Sequence, residues 1–129
     1  MGDVAARVRR LSIAPVRSLG LQHPVSIDIT PVGVLEDRRF YLIDETGRFI
    51  DRTVIGRLVQ VAAETDPEAS RLRLVFPNGE VIDDEVWLGD RVTTEVYDRT
   101  AEGQLVEGPW ADALSAFAGR RLRLVRTMR

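Results

Sequence analysis

Residues 71–83 read RLRLVFPNGEVID, and this stretch decides the fold class. Leu72, Leu74 and Phe76 alternate with Arg71, Arg73 and Val75, the period of a strand with one face buried. Pro77-Asn78-Gly79 follows, and Asn-Gly between apolar runs is the strongest short-range hairpin signal. A return strand is therefore expected from Glu80 onward. One hairpin with a dry face needs a partner layer, and the chain supplies candidates on both sides of it.

Toward the N-terminus, VRRLSIA (8–14) has strand composition and stops at Pro15. VSIDIT (25–30) alternates, with Val25, Ile27 and Ile29 on one face, and PVG (31–33) makes a turn. FYLIDE (40–45) is apolar on both faces. It turns around Gly47 and returns through FID (49–51). RLVQVAAE (57–64) reads as another strand, with Leu58 and Val61 its clearest apolar positions. Toward the C-terminus, EVIDDEVWLG (80–89) and RVTTEVYD (91–98) continue the pattern. Short strands at this spacing predict a sandwich or barrel. One segment has helical period instead: GPWADALSAFAG (108–119) places Trp110, Leu114 and Phe117 on one face. Pro109 stands at its first position and Gly119 just past its end. The expected fold is mainly β, a mixed or antiparallel barrel-like single domain over 1–129. One short helix at about 109–118 plugs or flanks the core, with Trp110 as a core anchor.

Composition narrows the chemistry. The 129 residues suffice for one well-buried core. No apolar run is long enough to span a bilayer, and the first residues lack a signal-peptide stretch. A cytoplasmic protein without membrane contact is expected. There is no cysteine, hence no thiolate nucleophile or soft metal ligand, and His23 is the single histidine. All 18 basic residues are arginine, so no lysine can form a Schiff base with pyridoxal phosphate. Arginine binds carboxylate or phosphate through a planar fork, so anion binding stays open. The net charge of −2 argues against nucleic acid as a partner. The terminal GRRLRLVRTMR (119–129) reads as a strand with a solvated arginine face.

Three places gather candidate ligand groups. In EDRRF (36–40), period 2 puts Arg38 with Phe40 and Leu42, and Arg39 with Tyr41 and Ile43. A guanidinium at the rim of a core needs a carboxylate or a bound anion, and Asp37 or Glu36 would serve as the former. In APVRSLG (14–20), Arg17, Ser18 and freed backbone N–H groups form either an oxyanion cradle or a plain polar loop. Arg52 reads as a surface charge, and the acidic run Asp83–Glu85 as a solvated turn rather than a cation site.

With APVRSLG, GVLEDRRFYLIDETGRFIDR (33–52) and EGPWADALSAFAGRRLRLV (107–125) in this order, the chain resembles a known family. It is similar to the N-terminal β-barrel domain of MOSC proteins, named for the molybdenum cofactor sulfurase C-terminal domain. The resemblance runs from about Val8 to Arg126 and includes a P-V-(K/R)-S turn and a G-x-x-x-D-R-x-(F/W/Y) approach to a strand. In that family the barrel precedes a second, MOSC domain. Relatives include the mitochondrial amidoxime-reducing component and bacterial proteins that reduce N-hydroxylated compounds with a bound molybdenum cofactor. Carried over residue by residue, the resemblance implies that Arg17, Ser18 and Arg38 contact the pterin or phosphate of the molybdenum cofactor (molybdopterin). It also implies that Asp37 orients Arg38, and leaves Arg39 as an outward charge.

Position 17 is arginine where the better-characterised relatives carry lysine. The cysteine that ligates molybdenum belongs to the second domain, so no catalytic or metal-ligating residue is expected in this chain. The resemblance thus implies a fragment of a two-domain oxidoreductase or sulfur carrier, inert by itself. Its partners would be the C-terminal MOSC domain and an electron-donor protein. The competing expectation is a stand-alone barrel used for recognition or as an adaptor, with its arginines in internal ion pairs.

Overall fold

The computed structural model describes residues 11–24, 26–31 and 33–128, and among them ten strands form three antiparallel sheets. A small sheet pairs β1 (Ile29–Thr30) with β2 (Gly33–Val34). The main sheet runs β4 (Phe49–Ile50), β3 (Phe40–Asp44), β10 (Leu122–Thr127), β9 (Arg99–Glu107), β8 (Trp87–Val96). The third runs β5 (Ala62–Thr65), β6 (Arg71–Val75), β7 (Val81–Glu85). One α-helix, α1 (Trp110–Ala118), lies near the C-terminus, as the 108–119 pattern requires. Among the described residues the ladders do not close into a continuous barrel, and no helix is long and apolar enough to cross a membrane.

The 71–83 hairpin forms as its sequence dictates. Leu72, Leu74 and Phe76 are buried, and Gly79 supplies the positive φ (+90°) that the turn demands. Phe76 and Glu80 close it, the Phe76 N–H donating to the Glu80 carbonyl at 2.9 Å. β3 is buried along its whole length because it has strands on both edges and side chains on both faces. Phe40 and Leu42 enter the main core, while Tyr41 and Ile43 join Val125 on the opposite face, under Phe49 and Val92. Trp110 fastens the helix to the other sheet. It is fully buried, and its indole N–H donates to the Leu72 carbonyl at 3.0 Å.

Three expected strands are different. Of 8–14, residues 8–10 lie outside the described residues, and Ile13 makes only an isolated bridge to Gln22. Pro15, which lacks an N–H, interrupts any ladder there. In 25–30, Val25 lies outside the described residues and only Ile29–Thr30 is strand. Ile29 is 80% exposed, so that alternation marks no core face. In 57–64, residues Gly56–Gln60 form a 3₁₀ helix and the strand begins only at Ala62. Leu58 and Val61 are buried all the same, since a spacing of three also suits a 3₁₀ turn.

Candidate functional site

Two turns lie side by side where the main sheet meets the three-stranded one. The segment 14–20 spans the gap: Val16 bridges Phe40 of β3, and Gly20 bridges Ala62 of β5, both in parallel. The Gly20 N–H donates to the Val61 carbonyl at 2.7 Å. A Cβ at position 20 would sit 2.9 Å from that oxygen, so only glycine lets the turn approach this closely. The second turn, 35–38, locks onto the first. The Arg38 N–H donates to Ala14 O at 2.6 Å, and the N–H groups of Arg39 and Phe40 both donate to Pro15 O at 3.0 Å. Asp37 completes the join: one carboxylate oxygen accepts from the Ala14 N–H at 2.7 Å, and the other meets the Arg38 guanidinium at 3.3 Å.

This join reverses which of the two neighbouring arginines is buried. Arg38 stands in the left-handed region (φ +51°), still within the turn, so strand alternation does not begin until Phe40. Its side chain is 58% exposed. Arg39 is the buried one, at 8% exposure, and it braces the neighbouring loop by donating to Pro67 O at 2.9 Å. Arg39 is a structural strut rather than the outward charge expected of it.

Arg17 and Arg38 together line two adjoining concavities. One, of about 280 Å³, is lined further by Tyr41, Arg99, Glu102 and Thr127. The other, of about 240 Å³, is completed by Ser18, Phe49, Arg52 and Tyr97. Burial lowers the Arg17 pKa below the usual arginine value, and repulsion from Arg38 and Arg99 adds to the effect. Such a cluster of like charges favours any anion that enters it. The Ser18 hydroxyl already donates to Ile50 O at 3.2 Å, so it must leave that carbonyl to donate to a ligand. Ser18 (φ +78°), Arg38 and Tyr97 (φ +58°) are three of the four non-glycine residues with positive φ among those described, and all three line the second concavity. Such conformations cost about 1–3 kcal/mol each and cluster at working sites.

Several of the other basic and acidic groups are paired with one another or with backbone. Arg120 meets Asp44 at 3.6 Å, Arg121 meets Asp112 at 2.7 Å, and Arg126 donates to Ala69 O at 3.3 Å. The acidic run lies on strand β7, where Arg71 faces Asp83 at 3.3 Å and Glu85 at 3.9 Å. Among the described residues no three His, Asp or Glu side chains cluster as metal ligands would. Guanidinium groups outnumber carboxylates at the twin concavities, where Glu102 lines the first and Asp51 the second, so the balance of charge suits an anion.

Sequence reasoning did not single out Arg99 or Tyr97, while Arg52, read as a surface charge, is exposed and lines the second concavity. A signal for the first two was present. Tyr97-Asp98 is the two-residue loop of the β8–β9 hairpin, a position that favours Asn, Asp or Gly. A tyrosine there, followed by an arginine on the returning strand, is out of place for a turn.

A family model described as the MOSC N-terminal beta barrel domain matches residues 5–119. No curated protein matches the chain in sequence. Among solved structures, the solution structure of a protein from Bordetella bronchiseptica superposes with a TM-score of 0.51 at 20% identity. The match covers 81% of this chain and 90% of that one, a likeness of fold.

Proposed function

The chain belongs to the MOSC N-terminal beta barrel domain family, and from that premise we propose that it forms the basic wall of a site for a phosphorylated pterin, the molybdenum cofactor. One observation carries the reading: the Asp37 carboxylate joins two turns so that Arg17 and Arg38 line the same pair of concavities. The donor set fits the phosphate end of that cofactor, because convergent guanidinium groups hold phosphate in short charge-assisted bonds. Arg17 and Arg38 bind the phosphate, Ser18 shapes the turn that presents Arg17, and Asp37 orients Arg38. The chain has no cysteine to ligate molybdenum through sulfur, so the metal ligand comes from a C-terminal MOSC domain. When bound, the cofactor supplies redox chemistry on N-hydroxylated compounds, fed by an electron-donor protein, or sulfur transfer.

The test is cofactor content in the complete gene product as purified. Molybdenum and oxidised pterin are measured together in the wild type and in Arg38→Ala. Loss of one charge-assisted contact, about 1.5–3 kcal/mol, is expected to lower both about tenfold or more. Unchanged content would overturn the role given to Arg38. The competing reading, a recognition or adaptor domain with internally neutralised arginines, draws on the Arg38–Asp37 pair and predicts that unchanged outcome.

A further inference from the structure

The three-stranded sheet ends in a strand, β7, whose outer side pairs with nothing among the described residues. The Val86 N–H donates to Ser70 O at 2.8 Å, and the Phe76 N–H to Glu80 O at 2.9 Å. In an antiparallel ladder this phase bonds positions 80, 82, 84 and 86 to β6. It turns the N–H and C=O groups of Val81, Asp83 and Glu85 outward. One of those outward N–H groups is already capped, since Glu85 donates to the Asp84 carboxylate at 2.7 Å. No proline and no bulge interrupts the strand, so the rest of the edge is open to pairing.

The side chains along that edge select what can pair with it. Across the exposed face of the sheet, Glu64 of β5, Arg73 of β6 and Asp83 of β7 stand in one register row. Arg71 and Glu85 form the next, with Arg71 reaching Asp83 at 3.3 Å and Glu85 at 3.9 Å. Charge therefore alternates strand by strand, acidic, basic, acidic, and the column at the open edge is acidic. Opposite charges in facing positions stabilise a sheet and like charges destabilise it, so the strand that continues the pattern is basic. A second copy fits poorly. Antiparallel pairing of β7 with itself about its middle residue sets Asp83 against Asp83.

Trp87 stands at the end of the acidic column. The chain has two tryptophans; Trp110 anchors the core, whereas Trp87 is 66% exposed. With Ser70, Arg71, Glu85 and Val86 it lines one concavity, so its ring borders the carboxylate that ends β7. An exposed indole beside a carboxylate suits an arginine or lysine side chain, which meets the ring face and the charge together. β8 runs from Trp87 to Val96, so this place lies up to about 30 Å along the strand from the Tyr97 hairpin and its concavities. We propose that the open edge of β7 takes, as an added strand, an extended segment of a partner protein with arginine or lysine at alternate positions, one cation seated against Trp87. The inference is independent of the cofactor reading.

Binding to the intact chain is measured by fluorescence anisotropy with three short labelled peptides. The first alternates valine with arginine, and the second valine with glutamate. The third repeats the first with each arginine amide N-methylated, which removes the N–H groups that would face β7. The arginine peptide is expected to bind, more weakly as salt rises, and the other two at least about tenfold more weakly. Asp83→Asn combined with Glu85→Gln weakens the arginine peptide about three- to tenfold, the worth of two exposed ion pairs. Trp87→Thr weakens it about threefold. All three positions are exposed, and a melting temperature near that of wild type verifies the fold. Equal binding of the N-methylated peptide would leave charge alone at work and overturn strand addition. Equal binding of the glutamate peptide, or indifference to the double variant, would overturn the basic partner. Full binding by Trp87→Thr would overturn the cation seat, and no binding of any peptide would overturn the whole proposal. Sedimentation of the free chain should find a monomer. A dimer that the arginine peptide dissociates would make a second copy the occupant of the edge and overturn the assignment.

Discussion

The neighbourhood of Trp110 and the neighbourhood of Arg17 and Arg38 are built on opposite rules. Around Trp110, strands β6 and β10 present Leu72, Leu74, Leu122 and Leu124 by simple alternation, and α1 adds Leu114 one turn beyond the tryptophan. Every local preference there agrees with the packing, which is the condition for a stable core. Arg17 and Arg38 themselves stand on turns, set against the ends of strands. Ser18, Arg38 and Tyr97 hold left-handed backbone, and charges of one sign face each other. The core thus subsidises a region that would not hold its shape alone, and mutations in the two places should separate stability from binding.

The largest effect is expected at the core. Trp110→Ala empties a fully buried volume and strands the Leu72 carbonyl, a loss of about 3–5 kcal/mol. Urea unfolding would show it as a large drop in midpoint. A loss below about 1 kcal/mol would mean that the helix is no plug, and the contrast between the two regions would dissolve.

The same contrast explains how much the sequence discloses. Where burial follows a period, the reading holds: the 71–83 hairpin, the turn at Gly47, the doubly buried β3, and the helix with its Gly119 terminus at φ +75°. Period 2 failed at Arg38 and Arg39 because a turn residue with positive φ resets the phase just before the strand. It failed at Ile29 because alternation says which residues share a face, not whether anything covers it. Leu58 and Val61 were placed in the core for the wrong element, since a 3₁₀ turn and a buried strand share the apolar spacing read there. The candidate site was half legible. Arg17, Ser18, Asp37 and Arg38 sit in short motifs, but Arg99 arrives from a hairpin some sixty residues away in sequence, and only the sheet order brings it near.

A middle-sized effect is expected at the join between the two turns. Asp37→Ala removes the acceptor for the part-buried Ala14 N–H and the partner of Arg38, at a cost of about 1–3 kcal/mol. Asp37→Asn sharpens the comparison, because an amide oxygen can still accept from Ala14 while the charge is gone. Chemical denaturation should find the asparagine variant close to wild type and the alanine variant well below it. Equal destabilisation by both would shift the weight from the hydrogen bond to the ion pair.

The smallest effect has the opposite sign and bears most on what the region is for. Arg17 is partly buried and stands against Arg38 and Arg99, so its charge is a burden on the folded state. Arg17→Gln keeps length and polarity but removes the repulsion, so the variant should melt slightly higher than wild type. The gain should be clearest at low ionic strength and fade as salt screens the remaining charges. Phosphate ligands should bind it more weakly under the same conditions. A residue that costs stability and contributes affinity is held for binding. If Arg17→Gln instead lowered the melting temperature at every salt concentration, Arg17 would belong with Arg39 as a brace, and the two regions would differ in geometry alone.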